Sequence, residues 1–209
     1  MSSCTICHSS SFQSIASIDH GVWKAHSAKA LHRDRHIYPI STCKGCGHVM
    51  INHDYSQDDF NRMYMDSPQG PVFWSEDYIG QNAPYRDMAE MAGGTTLSSQ
   101  TTIADFGCGP GELLQTLHSD YGVPNAHLFG MDFNNRIALS EINYHQIDLN
   151  DLPDAMNRFG ARLIDTGFAS HVFEHLIDPS QFLRDLKPHM AKTGAFFIEV
   201  PDFGSQSLE

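Results

Sequence analysis

The stretch TTIADFGCGPGELLQTL, residues 101–117, decides the fold. Its short apolar beginning predicts a buried strand, and the leucines of its second half recur at helical spacing. Between them stand Gly107, Gly109 and Gly111. Glycine at a strand-to-helix turn lets the backbone bend sharply and lie against a ligand. The stretch therefore predicts the first strand, ligand loop and helix of an α/β domain.

Strand-like and helix-like segments alternate after this loop. A helix is predicted from Glu112 to Tyr121, with Gly122 as its stop. A second helix begins at Pro179, after Asp178, and carries Phe182, Leu183, Leu186 and Met190 at helical spacing. The predicted strands are 101–107, 126–133, 142–148, 163–173 and 195–201. Helices of this length between strands indicate a Rossmann-like, doubly wound parallel sheet of about five strands.

Length and composition exclude several classes of protein. A chain of 209 residues with 41% hydrophobic and 18% charged residues is globular rather than disordered. It has no apolar run long enough to span a membrane and no secretion signal, so we expect a cytoplasmic protein without a membrane partner. The net charge of −12 disfavours nucleic acid as a partner. A local basic patch remains at Lys24, Lys29, Arg33 and Arg35.

Two C-x2-C pairs, Cys4 with Cys7 and Cys43 with Cys46, precede the α/β segment. Without an export signal, such pairs indicate a metal site rather than disulfides, and four thiolates form a closed, structural zinc site. Gly45 and Gly47 are expected to supply positive φ angles in the second turn. The alternatives are four buried free cysteines, or a histidine in place of one thiolate: His8, His20, His26 or His48.

Acidic residues end the second and third predicted strands. Asp132 is placed to accept the two hydroxyls of a ribose, and Asp148 to accept an adenine amino group, with Leu149 covering the ring. A dinucleotide fingerprint would need a glycine where Glu112 stands, and a carboxylate is a poor neighbour for a pyrophosphate. A nucleoside ligand with a cationic centre and an amino-acid end suits this loop better.

These motifs resemble those of the class I S-adenosylmethionine-dependent methyltransferases. DFGCGPGELLQTL, GMDF, HQIDLNDLP and HVFEHLIDPSQFLRDLKPHMAKTGAFFIEVP match their motifs over about residues 101–201. The N-terminal CTIC…CKGCGHVMINHDYSQDDFNRMY is similar to a zinc-binding module that precedes such domains. The combination is typical of sugar C-methyltransferases and of related enzymes in polysaccharide and natural-product pathways.

The resemblance implies roles for particular residues. Asp105, Gly107, Gly109 and Gly111 would line the methionine end of the cofactor, Asp132 would hold the ribose, and Asp148 with Leu149 the adenine. His175 would be the catalytic base and Glu174 its partner. Tyr64 resembles a substrate-facing tyrosine, with Tyr55, Tyr78 and Tyr85 of equal standing.

The resemblance also implies an incomplete sheet, because the family has seven strands and this chain ends soon after the fifth. We expect strand 195–201 to be a poorly covered edge that a partner or a second copy would cover. We also expect the chain to be incomplete at its C-terminus.

The string His171-Val-Phe-Glu-His175 has a second interpretation. It matches the inverted zinc-peptidase pattern H-x-x-E-H, which needs a helix to bring both histidines to one metal ion. Here it directly follows a strand-like run, so the position at a strand end favours general base chemistry instead. A purely structural role for His175, as a helix cap or packing residue, is the other alternative.

The sequence thus predicts a zinc-binding module at 1–52, a connecting, substrate-side segment at 53–100 and a methyltransferase domain at 101–209. The predicted function is methyl transfer to a small molecule, such as a nucleotide-activated sugar. Two alternatives remain: an RNA methyltransferase with a zinc module, and a non-catalytic subunit that binds the cofactor or a partner.

Overall fold

The computed structural model describes residues 3–19, 37–52, 85–93, 97–133, 142–160 and 162–201. The described residues fall into two compact units. One lies within 1–79 and includes Ile177–Ser180, and the other holds the rest of 80–209. Among the described helices, none combines the length and the hydropathy needed to cross a bilayer. The predicted segment borders at 52/53 and 100/101 stay predictions.

The first unit contains a three-stranded antiparallel sheet. Its strands are β1 (Phe12–Asp19), β2 (Ile37–Cys43) and β3 (Val49–Ile51), in the order β1-β2-β3. Phe12 pairs with Cys43 in the register of β1 and β2. This pairing explains how two cysteine pairs far apart in sequence meet. Because β1 and β2 are antiparallel, the start of β1, which follows the first pair, lies beside the end of β2, where the second pair begins.

The second unit contains a five-stranded sheet in which every pair of neighbours is parallel. The strands are β4 (Ile103–Phe106), β5 (Leu128–Asp132), β6 (Asn143–Gln146), β7 (Ile164–Ser170) and β8 (Met190–Glu199). Their order is β6-β5-β4-β7-β8. The chain reverses its direction of winding between β4 and β7, and ligands of such sheets bind at the strand ends beside that point. The predicted Rossmann-like fold is confirmed.

Four described helices accompany these strands: α1 (Tyr85–Met91), α2 (Glu112–Ser119), α3 (Leu152–Phe159) and α4 (Pro179–Leu186). They bury two separate apolar layers. One contains Leu113, Leu114 and Leu117 of α2 with Ile103 and Leu128. The other is built around α3 and α4 and the alternate strand residues, among them Ala104, Phe106, Phe129, Met131, Phe159 and Phe182. Helices thus cover both faces of the sheet, which is why the central strands β4 and β5 are mostly apolar and buried along their length.

The end of α2 follows the sequence closely. Gly122 has a φ of 70° and donates its N–H to the carbonyl of His118, while Val123 donates to Leu117. The bond from Gly122 to a carbonyl four residues earlier is the αL cap pattern, and it confirms Gly122 as the helix stop.

Two local predictions need correction. Met190 does not belong to the helix that begins at Pro179, because α4 ends at Leu186, a 3-10 turn spans Lys187–His189, and Met190 opens β8. The proline in that turn cannot continue the helix hydrogen bonding. Helix α3 was not predicted, although its buried residues follow helical spacing: Leu152, Ala155, Met156 and Phe159.

Strand β8 lies at one edge of the described sheet, since its partner there is β7. Near its end, Ile198 and Val200 are 46% and 49% exposed. This matches the expectation of a poorly covered fifth strand. A partner or second copy along this edge stays a prediction.

Candidate cofactor site and cysteine cluster

The four paired cysteines of the first unit converge. Their Sγ atoms all lie within 4.8 Å of one another. Cys4 and Cys46 are 3.7 Å apart, and Cys7 and Cys43 are 3.5 Å apart, too far for disulfides. A tetrahedral zinc ion with Zn–S bonds of about 2.3 Å requires sulfur separations of about 3.8 Å. The cluster therefore has the dimensions of a four-thiolate metal site.

The two turns that carry these cysteines repeat one geometry. The residue after each second cysteine has a positive φ, 57° at His8 and 79° at Gly47. In the second turn the N–H of Gly45 donates to Cys43 Sγ at 3.3 Å. Burial raises the pKa of Cys43, but N–H donors from Cys46 and Gly45 outweigh it and bring the pKa down to about 6. These N–H donors favour the thiolate at Cys43, the form in which a cysteine binds a metal ion.

The expectation that Gly45 supplies a positive φ angle is wrong. Gly47 has the positive φ, whereas Gly45 is outside the left-handed region. A Cβ on Gly45 would lie 3.1 Å from Ser9 Cβ and 3.3 Å from Cys7 Sγ. Glycine is therefore needed at this position because the two cysteine turns approach each other closely. His8 and His48 are not among the converging ligand atoms found within the described ranges, and His20 and His26 lie outside those ranges.

The glycine loop follows β4 directly. Gly107, Gly109 and Gly111 have φ angles of 77°, 53° and 87°, all in the left-handed region. The N–H groups of Gly107 and Cys108 both donate to the carbonyl of Met131 on the neighbouring strand β5. The loop is thus fixed to the sheet at its start and runs into α2 at its end, as the sequence predicted.

A segment after β7 packs on this loop. A Cβ on Gly107 would lie 2.2 Å from Val172 Cγ2. No side chain fits there, so Gly107 is required by space as well as by φ. The contact brings the 171–175 segment, with its two histidines, beside the glycine loop.

Asp105 is a buried acid with no cation beside it among the residues that the structure describes. Its exposure is 4%, and among the described residues none donates a hydrogen bond to its carboxyl group or pairs with it. Burial, and then the charge of Asp132, raise the pKa of Asp105 from 3.8 to about 7. An unpaired buried carboxyl is costly unless a ligand supplies its partner. It lies in β4, immediately before the glycine loop.

Asp132 ends β5 and contacts the same loop. Its Oδ2 accepts a hydrogen bond of 2.9 Å from the N–H of Gly109. The glycine loop and Asp132, the residue predicted to bind a ribose, are therefore joined by a hydrogen bond between residues 23 positions apart. The role of Asp132 toward a ribose stays a prediction.

Asp148 and Leu149 follow β6. Asp148 Oδ1 accepts from the backbone N–H of Asn150 at 2.8 Å and from its side-chain amide at 3.2 Å. Leu149 is buried, and its Cδ1 would lie 3.9 Å from a Cβ on Gly107. The structure thus brings Leu149 to the loop and gives Asp148 a turn-forming role. Their roles toward an adenine stay predictions.

Glu174 stands between two histidines at the end of β7. Its Oε1 lies 3.5 Å from His171 Nδ1 and 3.8 Å from His175 Nε2. Both imidazoles are about half exposed, whereas the Glu174 side chain is 26% exposed. Burial lowers the pKa of His175, Glu174 raises it in part, and His171 lowers it again. The net result favours the neutral imidazole, the form that accepts a proton.

The zinc-peptidase interpretation of this segment is wrong. The residues 173–175 form a 3-10 turn, not the α-helix which that pattern requires. Within the described ranges, the residues that converge as a metal site are the four cysteines, and neither histidine joins such a group.

Tyr144 is a site residue that the sequence did not reveal. Its hydroxyl donates to the backbone carbonyl of Asp132 at 3.3 Å, from the adjacent strand β6. Burial, and then the charge of Asp132, raise the pKa of Tyr144, so the hydroxyl stays a donor. No motif marks this tyrosine, because its place beside Asp132 depends on the register of two strands. Cys108, in the loop, is buried, and burial raises its pKa, which agrees with a packing role.

Several predicted residues lie outside the described ranges. They are the candidate substrate-facing residues Tyr55, Tyr64 and Tyr78 and the basic patch of Lys24, Lys29, Arg33 and Arg35. Tyr85 is described, and it packs against the apolar layer of α1 and α2.

Comparison with known proteins identifies the family of this chain. A family model described as a methyltransferase domain matches residues 78–208, which is more than half of the chain. The chain belongs to this family. No curated protein matches it in sequence.

Solved structures are similar in part. The sugar N-methyltransferase KedS8 from a Streptoalloteichus species is 16% identical, with 77% of this chain and 63% of that chain covered and a TM-score of 0.49. The plantazolicin methyltransferase BpumL, solved with S-adenosylhomocysteine, is 18% identical over 59% and 50%, with a TM-score of 0.45. A methyltransferase from Archaeoglobus fulgidus is 20% identical over 62% and 54%, with a TM-score of 0.45.

This chain therefore spans about half to two thirds of the length of these structures. All three scores lie below 0.5, and the acceptors of these proteins say nothing about the acceptor of this chain.

Proposed function

We propose that this protein transfers the methyl group of S-adenosylmethionine to a small-molecule acceptor, such as a nucleotide-activated sugar or a related metabolite. The observation that carries the proposal is Asp105, a buried carboxyl group with no cationic partner among the described residues. The cofactor has an ammonium group at its methionine end, which would supply that partner. Asp132 and Asp148, at the ends of β5 and β6, would take the ribose and the adenine.

The chemistry is an in-line displacement at the sulfonium methyl group. A bond forms from the acceptor atom to the methyl carbon, the carbon–sulfur bond breaks, and its electron pair stays on sulfur, which gives S-adenosylhomocysteine. The protein contributes alignment and exclusion of water. An acceptor that carries a proton at the reacting atom loses it to a base. Neutral His175 is our candidate for this base, with Glu174 beside it to stabilise the imidazolium that forms.

The proposal includes a structural zinc ion held by Cys4, Cys7, Cys43 and Cys46. The sulfur separations support it, and so do the N–H donors directed at Cys43. Four thiolates leave no coordination position for a substrate, so the ion would stabilise the first unit and take no part in methyl transfer. The preference for a sugar acceptor rests on the resemblance of the N-terminal module and of the Glu174-His175 pair.

Calorimetric titration with S-adenosylhomocysteine tests the cofactor assignment. We expect micromolar binding by the 209-residue chain, and binding at least about tenfold weaker in Asp132→Ala, because a hydrogen bond to a charged group contributes about 1.5–3 kcal/mol. Asp154→Ala is the matched control, since it removes an exposed carboxylate from the first turn of α3. Absence of binding by the folded wild-type chain would refute the assignment.

A further inference from the structure

The ends of β7 and β8 are joined by two hydrogen bonds that the proposed chemistry does not use. Ser170 and Glu199 are partners in the register of the two strands. Ser170 Oγ donates to Glu199 Oε2 at 2.5 Å, and the N–H of His171 donates to the Glu199 carbonyl at 3.0 Å. One residue of β8 therefore holds the last residue of β7 and the residue that follows it.

The backbone changes direction at the point where these bonds end. His171 has a φ of 54°, a left-handed conformation that a residue with a Cβ rarely adopts. Such a conformation persists when the surrounding contacts fix it, and it is found mostly at functional sites. Here it turns the chain out of β7 and into the 3-10 turn Phe173–His175.

The turn beyond His171 carries the proposed catalytic groups. Val172 is packed against the glycine loop at Gly107. Glu174 contacts His171 at 3.5 Å and His175 at 3.8 Å. His171 is thus fixed from two sides, by Glu199 through its backbone and by Glu174 through its ring. A shift at the Ser170–Glu199 pair would therefore move the Glu174–His175 pair relative to the loop.

We propose that Glu199 is a positioning residue, whose hydrogen bond with Ser170 at the edge of the sheet holds the 171–175 turn so that Glu174 and His175 face the reacting end of the cofactor. This inference rests on the proposed function. Glu199 acts through Ser170 and His171, and it is not itself assigned a contact with cofactor or acceptor.

The test follows the imidazoles of His171 and His175 by NMR in the zinc-loaded 209-residue chain, and so it needs no known acceptor. Resonances are assigned with His171→Gln and His175→Gln. The variants are Ser170→Ala, which removes the hydrogen bond and keeps the charge, and Glu199→Gln, which removes the charge and keeps an acceptor oxygen. Lys192→Gln, an exposed change of charge on β8, is the control.

We expect Ser170→Ala to raise the titration midpoint of His175 by about half a pH unit, because a loosened turn lets water reach the ring. Its affinity for S-adenosylhomocysteine should stay within about twofold of the wild type, since Asp105 and Asp132 lie on other strands. In Glu199→Gln the amide oxygen still accepts from Ser170, so the turn stays in place and the midpoint of His175 should rise less than in Ser170→Ala.

Three results would overturn the proposal. The first is that His175 has the same titration midpoint in Ser170→Ala as in Lys192→Gln, while Ser170→Ala melts at a lower temperature. The Ser170–Glu199 hydrogen bond would then only join two strands. The second is a lower midpoint in Glu199→Gln with none of the rise in Ser170→Ala, since Glu199 would then act by charge alone. The third is a tenfold loss of S-adenosylhomocysteine affinity in Ser170→Ala, which would place the effect in the cofactor site.

Failure of the proposed function is a separate result. It appears as absence of S-adenosylhomocysteine binding in the wild type, and the histidine titrations still decide what Ser170 and Glu199 do. If Glu199→Gln does not fold, Ser170→Ala alone carries the test.

Discussion

The cysteine cluster of the first unit and the glycine loop of the second are both built from tight turns with left-handed residues, yet they are completed in different ways. The cysteine turns bring four like groups together, and they direct N–H donors at sulfur. The glycine loop bonds to its own protein at Asp132 and Met131 and leaves the buried Asp105 without a cation among the described residues. The first site brings its own four ligand groups together at metal-binding distances. The second keeps a buried acid whose cationic partner we expect a ligand to supply.

This difference teaches where each unit obtains its stability. Four thiolates within 4.8 Å repel one another once ionised, so we expect the three-stranded sheet beside them to depend on a bound cation. The parallel sheet has two apolar layers, so we expect it to fold without a ligand, apart from the penalty of burying Asp105. The two regions should therefore respond in opposite ways to loss of what they bind.

Removal of zinc should give the largest effect. We expect Cys43→Ser, or a strong chelator, to unfold the β1–β3 sheet, because zinc binding by such sites is worth about 10 kcal/mol or more. Metal analysis and amide hydrogen exchange in β1–β3 measure this. Cys108→Ser is the control, since Cys108 lies in the second unit and should leave one zinc ion per chain. Full protection of β1–β3 in the metal-free chain would show that the two units do not differ in this way.

Substitution of Gly107 should give the next largest effect. Gly107→Ala combines a left-handed φ with a contact of 2.2 Å to Val172, and we expect a loss of about 3 kcal/mol in the free energy of unfolding. Urea denaturation checks the value.

Gly122→Ala is the matched control for that substitution. Its φ is 70°, and a Cβ there would meet nothing within 4 Å. It should cost only about 1 kcal/mol and leave S-adenosylhomocysteine binding intact, whereas Gly107→Ala should abolish binding. Equal losses in the two variants would mean that the packing of Val172 on the loop contributes nothing.

The titration of Asp105 should give a smaller effect and a distinctive sign. Its pKa in the folded chain, about 7, is above its ordinary value of 3.8. Between these values the folded state holds a proton that the unfolded state has lost, so stability of the ligand-free chain falls as pH rises. Binding of an ammonium group needs the ionised carboxylate. Affinity for S-adenosylhomocysteine should therefore be about tenfold higher at pH 8 than at pH 6.

Asp105→Asn should separate these two consequences. At pH 8 it should unfold at a higher temperature than the wild type, because it buries no charge, and it should bind S-adenosylhomocysteine more weakly at every pH. Calorimetry and thermal melts at pH 6 and pH 8 supply both measurements. A wild-type affinity that does not change with pH would remove Asp105 from the binding site.

Sequence patterns predicted those parts of the molecule that depend on near neighbours. Gly122 ended α2 because its left-handed backbone and the helix carbonyls lie within one turn. Helix α3 also has a local signal, the spacing of Leu152, Ala155, Met156 and Phe159. The end of α4 is local too, because Pro188 limits the helix that begins at Pro179, and Met190 lies beyond it.

The sequence by itself determined the five strands of the second unit, the four paired cysteines and an acid at or just after the end of each of two strands. These features follow from spacing and residue type, which the chain carries regardless of its partners in space. Only the tertiary structure decided that Val172 fills the space above Gly107, that Tyr144 bonds to the Asp132 carbonyl and that Glu199 holds Ser170 and His171. Those contacts join residues on different strands. Strand order and register create them, and no local pattern in the sequence encodes either one.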